Sequence, residues 1–157
     1  MARSVENYQE QIYVAASPKE SFRVVATGMD KWWTKTTEGK LEKVGDKVTA
    51  RFPPGFGFWT FEAATLEEDR RIEMICVDAH HTVDGQPEAI EQEWLGTTII
   101  WEFVDLGGKT EVSMTHDGLT PELNCWGICT DGWDYFFKHS LKAYLNGEDP
   151  SPHSAME

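Results

Sequence analysis

Residues Leu119 to Leu145 read LTPELNCWGICTDGWDYFFKHSLKAYL. Their spacing predicts one helix of about seven turns. Thr120 as N-cap, Pro121 at the first helical position and Glu122 at the positive end of the dipole mark its start. Asn146-Gly147, with Pro150 and Pro152 beyond, mark its stop. Lys138, His139 and Lys142 sit where positive charge is favoured. At about 100° per residue, Trp126, Cys129, Thr130, Trp133, Phe136, Phe137, Ser140 and Tyr144 share one wide face. Asp131, Asp134, Lys138 and Lys142 fall opposite, where Ile128 and Tyr135 interrupt the polar pattern. Gly127 and Gly132 cost roughly 1 kcal/mol each in helix propensity, so they are read as places where another element approaches closely. Such an aromatic face needs a broad partner surface. Its admixture of Thr130 and Ser140 suits a ligand cavity as well as a dry core.

The preceding chain supplies that surface. Gln9–Ala15 reads as a first strand. Ser17-Pro18-Lys19-Glu20 is a capping box that opens a helix from Pro18 to Thr27, ended by Gly28. Trp32 and Trp33 follow in a short connection that would close one end of the interior, with the simpler alternative that only one of them packs. From Gly39 the pattern alternates. A turn at Val44-Gly45-Asp46-Lys47 precedes strands at Val48–Phe52, Phe58–Leu66, Arg71–Val77, Thr97–Val104 and Thr110–Asp117. Trp59, Phe61, Ala63 and Thr65 share one side of their strand. So do Ile72, Met74 and Cys76; Ile99, Trp101 and Phe103; and Thr110, Val112, Met114 and His116. Asp78 to Leu95, with His80-His81, is polar and unpatterned, the kind of long excursion that often gates a site.

Serial hairpins predict an antiparallel sheet. The expected fold is α+β: a curved antiparallel sheet of about six or seven strands wrapped around the long C-terminal helix, with a cavity where the two do not touch. Residues 1–147 form the single expected domain, and 148–157 a disordered tail.

Composition narrows the function. The chain has 157 residues, ample for one core, and a net charge of −13. That charge argues against nucleic-acid backbones and anionic membrane surfaces. The N-terminus has no apolar run after its Arg, and no segment is apolar for long enough to span a bilayer. Three cysteines without disulfide spacing fit a reducing cytoplasm.

Several motifs resemble a known family. They are Gly96-Thr-Thr-Ile-Ile-Trp-Glu-Phe103, the turn Gly107-Gly-Lys-Thr110, Val112-x-Met-x-His116-x-Gly118-Leu119, Gly132-Trp133, Phe137 and Ser140-Leu141-Lys142-x-Tyr144-Leu145. Together with Ala16-Ser17-Pro18-x-Glu20 and Trp32-Trp33, they resemble the AHSA-like branch of the SRPBCC (START-like) superfamily, named for the activator of the heat-shock-protein-90 ATPase. The resemblance covers about residues 8 to 147. It implies a helix-grip fold with a deep cavity between sheet and helix. Members bind lipids, sterols, polyketides or other apolar molecules, and some are cyclases or hydrolases. The family offers no shared catalytic motif to carry across.

Three functions follow, in order. The first is binding of a small apolar or aromatic ligand in that cavity. Its candidate lining is Trp32, Trp33, Trp59, Phe61, Met74, Trp101, Met114, His116, Trp126, Cys129, Thr130, Trp133 and Phe137, where wide rings and adaptable thioethers suit such a ligand. The second is a cyclase or hydrolase in which His116 is the acid–base; a structural histidine bonded to a carbonyl or to Asp117 is the simpler account. The third is a module that regulates a chaperone ATPase, ranked last because one domain leaves no room for the separate N-terminal domain of the eukaryotic co-chaperone. Cys125, Cys129 and His116 lack the spacing of a structural zinc site, so no metal is expected, and no cofactor either. A homodimer is compatible with the sequence but rests on no motif.

Overall fold

The computed structural model describes residues 7–53, 55–82, 85 and 88–154. Pro54, positions 83–84 and 86–87 of the excursion, the N-terminal residues 1–6 and the tail end 155–157 lie outside them. Seven strands form one antiparallel sheet: β1 (Tyr8–Val14), β2 (Thr37–Gly39), β3 (Lys47–Phe52), β4 (Gly57–Glu67), β5 (Arg71–His81), β6 (Thr98–Asp105) and β7 (Thr110–Asp117). Their spatial order is β1-β7-β6-β5-β4-β3-β2. Helices α1 (Pro18–Thr27) and α2 (Met29–Trp32) join β1 to β2. Half of the capping box forms: the Ser17 hydroxyl accepts from the Glu20 amide at 3.1 Å, while the Glu20 carboxylate pairs with Arg23. A long C-terminal helix lies across the inner face of the sheet, which makes the fold an α+β helix grip.

Two bulges between β4 and β5 decide which side chains face inward. Thr60 pairs with Asp78 and Phe61 with Cys76, leaving Val77 unmatched; Ala63 pairs with Met74 and Thr65 with Glu73, leaving Ala64 unmatched. An extra residue turns every later side chain to the other face. Beyond Val77, Ala79 and His81 are therefore buried where plain alternation would bury Asp78 and His80. Beyond Ala64, Thr65 leaves the inner side expected for it and donates to Glu73 at 3.5 Å. Strand β5 also runs four residues further than predicted, so the polar excursion begins only after His81.

The C-terminal helix starts later than predicted. Residues 119–125 are irregular, with turns only from Pro121 on, and regular helix begins at Trp126, with Thr120 and Pro121 outside it. The cap comes from elsewhere. The Glu93 carboxylate accepts from the Asn124 and Cys125 amides, both at 2.9 Å. A carboxylate at this positive end satisfies donors that a local side chain would otherwise take. The helix runs as α3 (Trp126–Tyr135), a π-helical stretch (Phe136–Leu141) and a last turn, α4 (Lys142–Leu145). The wider π turn rotates the apolar stripe, so Ser140 and Leu141 are both fully buried. Gly127 and Gly132 face open space rather than a closely packed neighbour: nothing lies within 4 Å of a Cβ at either position.

Residues 148–154, expected as a disordered tail, are fastened instead. The buried Ser140 hydroxyl accepts from the Ser151 amide at 2.8 Å while donating to the Trp32 carbonyl at 2.7 Å. His153 exchanges backbone hydrogen bonds with Trp33 and Lys35, both at 2.9 Å. The partners are backbone groups and one buried hydroxyl, which composition does not reveal.

Gly57 opens β4 at φ +118°, and a Cβ there would stand 1.7 Å from the His80 carbonyl oxygen. Gly57→Ala is expected to cost about 2 kcal/mol or more, a fall in Tm of about 4–8 °C for a chain of this size. Gly55→Ala, with open space at its Cβ, should leave Tm unchanged. Thermal denaturation of both variants measures the difference.

Candidate functional site

At the edge of the sheet where β3 ends, β4 begins and β5 ends, the inner face parts from α3. The gap is a cleft of about 350 Å³ lined by Trp33, Phe52, Phe56, Trp59, His81, Trp94, Ile128, Cys129, Gly132, Trp133, Phe136 and His153. Phe52 closes β3, Trp59 comes from β4, and His81 is turned inward by the Val77 bulge. Trp94 is held by the Glu93 clasp on the helix start. His153 is delivered by the fastened tail.

The walls are aromatic and mutually stacked. Trp133 stacks on Trp33 at 5.1 Å between ring centres and on Trp94 at 5.8 Å. Trp33 stacks in turn on Trp32 at 5.8 Å. Four tryptophans thus form one row from the cleft into the core. Trp101 meets Trp32 and Trp133 edge-on. Offset and edge geometries of this kind add to the burial energy of each ring.

Of the thirteen residues predicted to line a cavity, Trp33, Trp59, Cys129 and Trp133 do so. Trp32, Phe61, Met74, Trp101, Met114 and Phe137 are fully buried behind them as core. Trp126 is half-buried at the flank, and the Thr130 hydroxyl turns back to the Gly127 carbonyl. Both tryptophans of the Trp32-Trp33 pair pack inside, so the alternative in which only one packs does not hold. Sequence reading missed Phe52, Phe56, His81, Trp94, Ile128, Gly132, Phe136 and His153. Trp94 carried a signal, as a lone tryptophan closing a polar excursion. Phe136 and Phe52 stood on assigned elements. His81 and His153 depended on a bulge and on a docked tail.

His116 lies behind the cleft, fully buried, with both ring nitrogens engaged. Trp133 Nε1 donates to His116 Nδ1 at 3.1 Å. That leaves Nε2 carrying the proton, donated to Thr97 Oγ1 at 2.8 Å. The Thr97 hydroxyl passes its own proton to the Trp94 carbonyl at 2.6 Å. Burial with no anion beside it pushes the His116 pKa down to about 3. The ring is a neutral strut between helix, sheet and loop. Cys129 is equally quiet: it accepts from Trp94 Nε1 at 3.2 Å, and its hydrogen bond with Cys125, with burial second, holds the thiol protonated. Among the described residues, no three His, Cys, Asp or Glu side chains converge as a metal site, and no helix is long and apolar enough to cross a membrane.

A larger groove of about 540 Å³ lies between α1–α2 and β2–β3. Asp30, Lys40, Glu42, Asp46 and Lys47 edge it, and no aromatic residue lines it. The smaller cleft is the one walled by aromatic rings.

The His116 strut has a pH signature. Its folded pKa lies below the ordinary 6.5, so on acidification the unfolded chain takes the proton first. The contribution is complete above about pH 6.5, falls as pH drops, and levels off near pH 3, with a slope of about 1.4 kcal/mol per pH unit. Unfolding free energies from urea titrations should be flat between pH 8 and about 6.5 and show this slope from about pH 6 to 4, flattened in His116→Gln. Nitrogen NMR of the folded protein should show the Nε2–H tautomer of His116 unchanged down to pH 5.

A family model described as Activator of Hsp90 ATPase homolog 1-like protein matches residues 15–146. Among solved structures, the solution structure of the Aha1 dimer from Colwellia psychrerythraea superposes with a TM-score of 0.70 at 25% identity, covering 90% of this chain and 96% of that one. A protein of Staphylococcus saprophyticus gives 0.67 at 14% identity, covering 94% and 97%. One of Chromobacterium violaceum gives 0.66 at 14%, covering 89% and 97%. Among curated proteins, none matches. With seven strands gripping one helix, and the family match spanning most of that domain, the chain belongs to the Activator of Hsp90 ATPase homolog 1-like family.

Proposed function

We propose that the protein binds a small apolar or aromatic molecule in the cleft between α3 and the β3–β4–β5 end of the sheet. The observation that supports this best is the wall itself: Trp33, Phe52, Trp59, Trp94, Trp133 and Phe136 around about 350 Å³ of space. That volume lies within the range of small-molecule pockets, and such pockets are mostly apolar with few polar groups. A flat ring entering here replaces water against preformed π faces, so little ordering opposes it. The cyclase or hydrolase alternative has no base in the cleft from His116, whose nitrogens are committed behind Trp94 and Trp133. The net charge of −13 keeps nucleic acid out of the proposal.

Gly132 offers a clean test. It lines the cleft, and nothing stands within 4 Å of where its Cβ would be. Gly132→Leu should plug the space without disturbing the fold and should improve helix propensity by several tenths of a kcal/mol. Wild-type protein is expected to bind N-phenyl-1-naphthylamine, read by energy transfer from tryptophan. Gly132→Leu should keep or raise Tm while weakening that binding at least tenfold. Unchanged binding by a folded Gly132→Leu variant would remove the cleft as the site.

A further inference from the structure

Among the described residues, four buried side-chain polar atoms have no hydrogen-bond partner: Ser21 Oγ, Trp101 Nε1, Trp59 Nε1 and His81 Nδ1. The first two belong to separate places, α1 and the deep core. The last two belong to neighbouring rings of one cleft wall. Trp59 and His81 are each 7% exposed, their ring centres are 5.0 Å apart, and both line the cleft. A buried donor without a partner carries its full desolvation penalty, and a ligand group that pairs with it recovers that penalty. An apolar ligand recovers none.

We propose that the cleft selects a neutral planar aromatic molecule bearing a hydroxyl or carbonyl oxygen, and that this oxygen is read by Trp59 Nε1–H and His81 Nδ1. This deepens, and rests on, the reading of the cleft as a binding site for an apolar or aromatic ligand. The indole N–H can only donate, so the ligand must present an acceptor. Imidazole Nδ1 either donates or accepts according to tautomer. A carbonyl oxygen can accept from both nitrogens; a phenolic hydroxyl can accept from Trp59 and donate to His81. Burial lowers the His81 pKa, with Glu93 acting the other way, so the ring is neutral and supplies no counter-charge for a carboxylate. The rest of the ligand stacks against Trp133 and Phe52. Both nitrogens are shielded from solvent, so a ligand pairs with them only if the cleft edge moves, where Phe56 is 52% exposed and packs on His153 at 6.0 Å.

Naphthalene, 2-naphthol and 2-naphthoate separate the possibilities by titration at pH 7. Wild-type protein is expected to bind 2-naphthol at least tenfold more tightly than naphthalene, a difference of about 1.4 kcal/mol, and more tightly than 2-naphthoate. Trp59→Phe and His81→Phe keep an aromatic wall and remove one nitrogen function each; in either, the preference should shrink to about threefold or less. In wild-type protein, the Trp59 indole N–H resonance should move downfield with 2-naphthol and not with naphthalene, a readout that needs no variant to fold. Equal affinities for naphthol and naphthalene, or an unmoved Trp59 resonance, would overturn the polar reading and leave the apolar cleft standing. Preference for 2-naphthoate would overturn the neutral oxygen. If none of the three binds while N-phenyl-1-naphthylamine does, the oxygen reading falls and the cleft stands; if that probe fails as well, both fall.

Discussion

The indole of Trp133 lies between Trp33 and Trp94 and gives its N–H to His116 Nδ1. Through that one side chain the helix is referenced to three other parts of the molecule: the segment after α2, the loop before β6, and β7. The stacked faces alone would allow sliding, because ring stacking is broad in its geometry. The hydrogen bond to a fully buried, neutral imidazole is directional and fixes the rotation of the helix about its axis. With that rotation set, Cys129 and Gly132 fall on the cleft side and Phe137 on the core side. The chain His116–Thr97–Trp94 carries the same constraint into the loop wall.

Most of the fold was legible because it rests on periodicity. Alternation placed Ile99, Trp101 and Phe103, and Thr110, Val112, Met114 and His116, on the inner face, where they are buried. The aromatic stripe of the last segment likewise predicted a gripped helix. Periodic rules fail where one residue is added. The Val77 bulge reverses the parity of β5, so that His81 rather than His80 enters the cleft. The π-helical stretch does the same for Ser140 and Leu141. Neither insertion alters composition or hydrophobic content, and each is set by the registers of neighbouring elements.

The remaining gaps came from interactions between distant segments. Local rules placed the helix cap at Thr120, whereas Glu93, about thirty residues upstream, holds that end. The consequence reaches the cleft, because Trp94 follows Glu93 directly and is carried into position by the same clasp. Residues singled out for their reactivity proved structural. His116 is neutral with both nitrogens engaged, and Cys129 is a protonated acceptor for Trp94. Chemical character alone ranked them as candidates, but burial and pairing set what each can do.

The family match ends at residue 146, whereas His153 stands in the cleft wall beside Phe52 at 5.2 Å. Part of the cleft wall therefore lies outside the matched segment. Handling has a corresponding hazard: a chain cut directly after the helix would lose His153 from the cleft wall, and one that also began at residue 15 would lose β1 from beside β7.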